Sequence, residues 1–242
     1  MKLHFAAASR AGHAASNDDR WFADPIRGCF VVADGVGQSP AGGLAATIAV
    51  ECLPRLVDHS SSARGAAVED REAHLAAQIE RLNALVCQES AVRPALGGLQ
   101  TTLVVAVFRA GRLLVAHLGD SRAYRWSRGS LRRLTEDHNL QTALKRVGAA
   151  TGNHSRRQLR RFLGMPAPAL PEVHSFGLTA GDVILLCTDG LARPLGDDEI
   201  AACFIPSAPL QATADSLVAR AQQLGGTDDM TALLVAAHDR IP

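Results

Sequence analysis

Four short apolar runs of the chain begin or end beside an aspartate, and this recurring form constrains the fold more than any other feature. Asp34 follows CFVVA, Asp120 follows LLVAHLG, Asp189 follows VILLCT, and the pair Asp228-Asp229 immediately precedes MTALLVAA. Apolar runs of this length between turn residues are typical of buried strands. Such strands would hold the carboxylates at an edge of the core and, where the strands are neighbours, would bring them together.

Carboxylates that converge repel one another and raise each other's pKa, and a bound cation relieves that repulsion. A donor set made of oxygens, without Cys or His, suits Mg²⁺ or Mn²⁺ better than Zn²⁺. Asp before Gly is also ordinary turn chemistry, which explains any one of these aspartates taken alone. The four aspartates together predict a divalent-cation site. The spacing alone does not show whether the four carboxylates converge on it.

The segment that follows the strand at 29–33 permits three interpretations. A dinucleotide-binding fingerprint requires a third glycine, and the chain has Pro40 at that position. A nucleophile elbow centred on Ser39 requires a mainly parallel sheet with strand–helix alternation, which the hairpins predicted later in the chain contradict. A metal site that uses Asp34 as a ligand is the one interpretation that also accounts for the other three aspartates.

The order of the predicted elements indicates an α+β fold with antiparallel sheets. Turns at 109–111 and 127–130 have hairpin length, so the strands in the middle of the chain are predicted to form an antiparallel meander. Strands occur in a block with pairs of helices on either side, rather than in regular strand–helix alternation. The predicted strands are 29–33, 99–108, 112–118, 122–126, 171–178, 182–188 and 230–237, and the predicted helices are 41–58, 68–91, 197–204 and 208–224.

Charge and cysteine content narrow the functional class. The 242 residues include 25 Lys and Arg against 24 Asp and Glu, so nothing in the charge points to a nucleic-acid or membrane-surface binder. No apolar run approaches the eighteen residues of a membrane-spanning helix, and no signal peptide is expected. The five scattered cysteines lack a C-x-x-C pair, which disfavours structural zinc and favours a reducing cytoplasm. We expect a cytoplasmic monomer.

Seven segments, in order along almost the whole chain, resemble the sequence elements of one enzyme family. They are SNDDRW, VVADGVGQSPAGGLAA, LQTTLVVAV, AHLGDSRAY, LTEDHNL with HSRRQLRRFLG, LLCTDGL and GGTDDMTALLV. Together they resemble the metal-dependent serine/threonine protein phosphatases of the protein phosphatase 2C (PPM) family, bacterial type. The resemblance implies a single domain over 1–242, with a central antiparallel β-sandwich flanked by pairs of helices (four layers, α-β-β-α) and a flap subdomain at about 137–164.

The resemblance also implies a reaction and its metal ligands. Two Mn²⁺ or Mg²⁺ ions would be bridged by Asp34, with help from the carbonyl of Gly35. Asp189 and Asp228 would hold the first of these ions. A hydroxide that bridges the two cations would then attack the phosphorus of phosphoserine or phosphothreonine, without a covalent phosphoenzyme.

Two further aspartates receive roles from the same resemblance. Asp19 would act on the cations through bound waters. Asp120 stands at the position that is associated, in bacterial members, with a third and weaker cation. The implied cofactors are therefore two Mn²⁺ or Mg²⁺ ions and an optional third.

The chain departs from the family pattern where substrate phosphate is usually bound. Ala14 stands at the position of the usual phosphate-binding arginine, and Arg10, His13 or a flap arginine such as Arg157 is the candidate replacement. Asp229 stands where Asn is usual, beside a predicted ligand. These departures concern substrate affinity more than metal binding, because the predicted ligand positions are all Asp.

The implied partners are a phosphorylated protein substrate and a cognate serine/threonine kinase whose action the chain would oppose. A second hypothesis comes from another class: a phosphatase-like regulatory module that binds a phosphoprotein or metal with little turnover. The alanine at position 14 motivates it, since a weakened phosphate grip would lower turnover without preventing metal binding.

Overall fold

Residues 2–37, 40–58, 67–109, 111–148, 158–166 and 168–238 are described in a computed structural model of the chain. They form ten strands, five α-helices and one turn of 3-10 helix at Pro94–Leu96. The strands are β1 Lys2–Arg10, β2 Arg20–Asp24, β3 Cys29–Ala33, β4 Leu103–Arg109, β5 Arg112–Leu118, β6 Arg122–Ser127, β7 Ser130–Arg133, β8 Glu172–Gly177, β9 Val183–Cys187 and β10 Met230–His238. The helices are α1 Ala41–Asp58, α2 Val68–Ala91, α3 Leu140–Arg146, α4 Asp189–Ala202 and α5 Leu210–Gln223.

The strands form two five-stranded sheets, one in the order β1-β10-β9-β6-β7 and the other in the order β2-β3-β4-β5-β8. Every strand pair in both sheets is antiparallel. Helices α1 and α2 pack on the outer face of the second sheet, and α4 and α5 pack on the outer face of the first. The predicted α+β fold, an antiparallel sandwich flanked by helix pairs, is confirmed.

Strand β3 shows why the strand segments beside the aspartates have continuous apolar sequences rather than alternating apolar and polar residues. Val31 and Ala33 face the helices α1 and α2, whereas Phe30 and Val32 face the other sheet. Both faces of the strand are therefore buried, and water is excluded from every position. An aspartate at the end of such a strand is held by a rigid element at the edge of the core.

The predicted bounds of α1 and α2 agree with the structure, and the predicted meander is wrong. Strands β4 and β5 form one hairpin, but β6 lies in the other sheet and pairs with β7 and β9. The chain crosses between the sheets at residues 119–121, where Gly119 has φ +99° and a Cβ would lie 2.7 Å from Cγ2 of Thr102. Hairpin-length turns are local, and they do not reveal a change of sheet between the hairpins.

Other elements differ from the sequence-based expectation. The sequence patterns do not predict strands β1, β2 and β7, because exposed and half-buried residues interrupt their apolar patterns. The helix expected near 197–204 begins at Asp189 and is kinked at Gly196, where φ is +65°. Of the helices described, none is both long enough and apolar enough to span a membrane.

Candidate metal centre

The five predicted aspartates meet at one end of the sandwich. The pKa of Asp34 lies well above its ordinary value, first because the carboxyl is desolvated and then because four negative charges surround it. Those charges belong, in order of effect, to Asp189, Asp19, Asp228 and Asp120. The aspartates that the sequence places at separate strand ends are therefore brought together.

Backbone contacts fix the position of Asp34 at the end of β3. Its N–H donates to Oγ1 of Thr102 at 3.0 Å, and its carbonyl accepts from Oγ1 of Thr101 at 2.7 Å and from the Thr102 N–H at 2.9 Å. The next residue, Gly35, packs directly on the start of α1, where a Cβ would lie 2.4 Å from the carbonyl carbon of Gly42. Glycine is required on both sides of this contact by close backbone approach rather than by φ.

Asp19 is held by two threonines from neighbouring strand ends. Oδ2 of Asp19 accepts hydrogen bonds from Oγ1 of Thr188 at 2.9 Å and from Oγ1 of Thr231 at 2.7 Å. Burial raises the pKa of Asp19 to about 7, although the two threonine hydrogen bonds oppose the shift. Both donors reach the same oxygen, so the other oxygen points elsewhere.

Asp120 and Asp189 share one cationic side chain. Nη2 of Arg193, on the first turns of α4, lies 2.7 Å from Oδ2 of Asp120 and is also paired with Oδ2 of Asp189. Burial raises the pKa of Asp189 to about 8, and the nearby charge of Asp120 adds to that shift while Arg193 opposes it. The pKa of Asp120 is also raised, again chiefly by burial.

Asp228 and Asp229 are neighbours in the chain but make different contacts. Asp228 is exposed at the end of the cluster, and its Oδ1 accepts from the Asp229 N–H at 3.0 Å. The buried carboxylate of Asp229 accepts from the N–H groups of Gly12 at 2.8 Å and Asp18 at 2.6 Å. Asp229 therefore anchors the loop that leads to Asp19, a role that its charge alone does not suggest.

The donor set fits a hard divalent cation. Oδ1 of Asp19 and Oδ1 of Asp189 are buried and accept no hydrogen bond from the described residues. Buried acceptors of this kind are unfavourable unless paired, and carboxylate oxygens are the ligands that Mg²⁺ and Mn²⁺ prefer. The aspartates are not closed around a single point, since no three of them in the described ranges place ligand oxygens within 4.8 Å of one another.

A separate cluster of potential metal ligands consists of His117, His138 and Glu172, whose ligand atoms lie within 4.8 Å of one another. The two imidazole rings stack with centroids 4.2 Å apart, and His117 donates from Nε2 to the carbonyl of Glu136 at 2.7 Å. Arg161 donates to Glu172 at 3.1 Å, so the cluster already contains a cation. Burial lowers the pKa of both imidazoles, which favours a structural contact between β5, β8 and residues 158–163.

Of the three candidate phosphate-binding residues, two lie within the described part of the chain. Arg10, at the end of β1, donates to Oε1 of Gln222 on α5 at 2.6 Å, and both residues are exposed. His13 is exposed in the loop that Asp229 anchors, and it lines a pocket of about 190 Å³. Arg157, the flap candidate, lies outside the described residues, as does Ser39 of the rejected nucleophile elbow.

The sequence patterns do not predict the residues that orient the aspartates. Thr188 immediately precedes Asp189, and Thr231 is the second residue of the last strand, so both resemble ordinary strand residues. Arg193 lies four residues after Asp189, a spacing that puts an acid and a base on one helix face. That spacing would have identified Arg193 if the start of α4 had been placed at Asp189.

Solved structures with this fold define the class of protein. The crystal structure of the Mycobacterium tuberculosis serine/threonine phosphatase PstP/Ppp matches with a TM-score of 0.86 and 30% sequence identity, over 99% of this chain and all of that one. The catalytic domain of PstP in complex with two manganese ions matches with a TM-score of 0.83 and 30% identity, over 98% and 99% of the two chains. The fold is that of bacterial serine/threonine phosphatases.

Sequence comparison identifies the family. The family model described as Protein phosphatase 2C matches residues 8–235. The serine/threonine phosphatase stp of Listeria welshimeri is 32% identical over 210 residues, which cover 85% of this chain and 82% of that protein. The chain belongs to the protein phosphatase 2C family, and the resemblance of its seven segments is confirmed.

Proposed function

We propose that the chain hydrolyses phosphoserine and phosphothreonine in proteins with two Mn²⁺ or Mg²⁺ ions bound at the aspartate cluster. The observation that carries this proposal is the convergence of five aspartates with two buried carboxylate oxygens that lack a partner among the described residues. Membership of the protein phosphatase 2C family and the two manganese ions in a relative's structure support the same conclusion.

Each aspartate has a distinct place in this proposal. Asp34 and the Gly35 carbonyl would serve both ions, and Asp189 at the start of α4 and Asp228, two residues before β10, would hold one of them. Asp19 would offer its Oδ1, which accepts no hydrogen bond from the described residues, while the two threonines hold its Oδ2. When bound, the ions neutralise the phosphoryl oxygens and lower the pKa of a water molecule.

Charge balance favours two ions at this centre. The five carboxylates carry five negative charges when ionised, and Arg193 supplies one positive charge. Two divalent cations neutralise the remaining four. A phosphate monoester that would otherwise be repelled by the cluster would then meet a neutral centre, in which Thr188 and Thr231 orient the carboxylate of Asp19.

The flap expected at about 137–164 is proposed to influence substrate choice. Its described end is tied to the centre, because Thr101, which holds the carbonyl of Asp34, exchanges two backbone hydrogen bonds with Leu163 at 2.9 and 3.2 Å. Its described start pairs with the same end through the Arg160 N–H and the carbonyl of His138 at 2.8 Å. A substrate that moves this segment would therefore act next to the strand that positions Asp34.

The domain organisation, the oligomeric state, the location and the partner kinase are proposals as well. We infer a single catalytic domain over 1–242 that works as a monomer in the cytoplasm and opposes a cognate serine/threonine kinase. The near-neutral net charge of +1 and the absence of a cysteine pair motif support this setting. Size-exclusion chromatography with light scattering, and fractionation of the producing cells, would test the oligomeric state and the location.

A regulatory module with little turnover is the second candidate function. The exposed Ala14 offers no charged group to a substrate phosphate, and Arg10 is engaged with Gln222. Both observations are compatible with normal metal binding and weak phosphate binding. Tight Mn²⁺ binding without hydrolysis of any phosphopeptide would favour this candidate.

Hydrolysis of a phosphothreonine peptide tests the proposal. We expect phosphate release in the presence of Mn²⁺ and its loss after treatment with EDTA, with recovery when Mn²⁺ is added back. A matched phosphotyrosine peptide serves as the comparison for substrate class. Release that persists at full rate in EDTA would contradict the metal-dependent mechanism.

A further inference from the structure

We propose, on the basis of the function proposed above, that the guanidinium of Arg193 takes the place of a third cation, so that the chain binds one divalent ion fewer than it would without this side chain. The expected third position is at Asp120. The structure places Nη2 of Arg193 there instead, 2.7 Å from Oδ2 of Asp120 and paired with Oδ2 of Asp189. One nitrogen thus joins carboxylates from two different elements.

The local structure explains why Arg193 reaches this position. Arg193 lies four positions after Asp189 on the first turns of α4, so both side chains project from one face of the helix. Asp120 enters from the crossover between β5 and β6, which the tight turn at Gly119 directs toward the start of α4. The contact therefore depends on two rigid elements and on a fixed helical spacing.

Burial makes this contact a strong competitor for a divalent ion. The side chains of Asp120 and Asp189 are only 4% and 8% exposed, whereas that of Arg193 is 31% exposed. A buried carboxylate pair must be neutralised, and the guanidinium does so from the solvent side while it remains charged at all accessible pH values. An ion that ligates both carboxylates would have to displace Arg193 and leave its charge beside a second positive charge.

The enzyme therefore carries the permanent positive charge of the Arg193 guanidinium where a third divalent cation, which can dissociate, would otherwise bind. Arg193 acts as a positioning residue, because it holds Oδ2 of Asp189 and leaves Oδ1 of Asp189 for the ion proposed above. The requirement for divalent cations is then limited to the ions at Asp34. Activity should saturate with Mn²⁺ in one concentration range, without a further rise at higher concentrations.

The test is a count of bound Mn²⁺ by equilibrium dialysis and elemental analysis, over a range from micromolar to millimolar free Mn²⁺. We expect Arg193→Ala and Arg193→Gln to bind one ion more than the wild-type chain. Arg193→Lys keeps the positive charge, so it should keep the wild-type count. Arg220→Ala is the matched control, since Arg220 pairs with Glu199 away from the centre and its loss should change nothing.

The difference between variant and wild type tests the role of Arg193, and the absolute wild-type count tests the proposed two-ion function. An unchanged count in both Arg193→Ala and Arg193→Gln, with native circular dichroism, would overturn the inference. An extra ion in Arg193→Lys would also overturn it, because the charge would then not matter. A wild-type chain that binds no ion contradicts the proposed function, while a gain of one ion in Arg193→Ala would still support the inference.

Discussion

Thr231 donates a hydrogen bond of 2.7 Å from its Oγ1 to Oδ2 of Asp19 and so links the last strand to the loop before β2. Thr188 donates to the same oxygen, and the Thr231 N–H donates to Oγ1 of Thr188 at 3.0 Å. The two hydroxyls thus fix the orientation of the Asp19 carboxylate and leave its Oδ1 without a hydrogen bond from the described residues. A carboxylate that is oriented before the ion arrives loses less rotational freedom on binding.

Thr231→Val should weaken Mn²⁺ binding about tenfold, because it removes one hydrogen bond to a charged group while it keeps the side-chain volume. Thr231→Ser retains the hydroxyl and should stay within about twofold of the wild type. Isothermal titration of both variants with Mn²⁺ checks this result. Equal affinities for the valine and serine variants would show that the hydroxyl does not orient Asp19.

In the absence of metal, the protein should lose stability as the pH rises from 6.5 to 8.5. Burial raises the pKa of Asp19 to about 7 and that of Asp189 to about 8, so the folded state holds protons that the unfolded state has released. The free energy of unfolding therefore falls as the pH passes through these values. The lowered pKa values of the buried imidazoles of His117 and His138 oppose this trend near pH 6.5, where the unfolded histidines still bind protons, and this contribution ends as the pH rises further.

The corresponding measurement is thermal unfolding in EDTA. We expect the melting temperature to be lower by about 5 °C at pH 8.5 than at pH 6.5. With Mn²⁺ present the decrease should disappear, because the ion stabilises the ionised carboxylates. A melting temperature in EDTA that rises over this interval would contradict the account of the buried aspartates.

Asp229→Ala should lower the free energy of unfolding by about 2–3 kcal/mol, since it leaves the N–H groups of Gly12 and Asp18 without their acceptor. Asp229→Asn keeps one carbonyl oxygen and should fall between the wild type and the alanine variant. Urea denaturation measures these differences. The control is Asp215→Ala on the exposed face of α5, expected within about 0.5 kcal/mol of the wild type; equal losses for both alanine variants would exclude an anchoring role.

Much of the fold follows from the sequence because the decisive patterns are local. The apolar runs that are buried on both faces, such as 29–33, mark their own strands, and the bounds of α1 and α2 follow from helical periodicity. Strand β1 escapes prediction because it lies at the edge of its sheet, where only Ala6 is fully buried. The change of sheet after β5 is set by packing around Gly119, which no periodicity records.

The candidate site likewise contains some residues that the sequence reveals and others that it does not. The aspartates are visible in the sequence because each stands beside an apolar run, and the family resemblance relates them to one another. The partners that orient them are not visible, because contacts such as Thr231 with Asp19 join residues 212 positions apart. Arg193 is the intermediate case, since its spacing from Asp189 is local but its contact with Asp120 depends on the tertiary fold.

The most direct test of the proposed function is phosphothreonine-peptide hydrolysis by Asp34→Asn, with Asp215→Asn as the matched control at an exposed site. Asn keeps the shape of the side chain but removes the charge at the point where both ions would be held. We predict that turnover falls about 1,000-fold in Asp34→Asn and stays within about twofold in Asp215→Asn, with native circular dichroism for both. Turnover by Asp34→Asn at more than about a tenth of the wild-type rate would contradict the assignment of Asp34 as the central metal ligand.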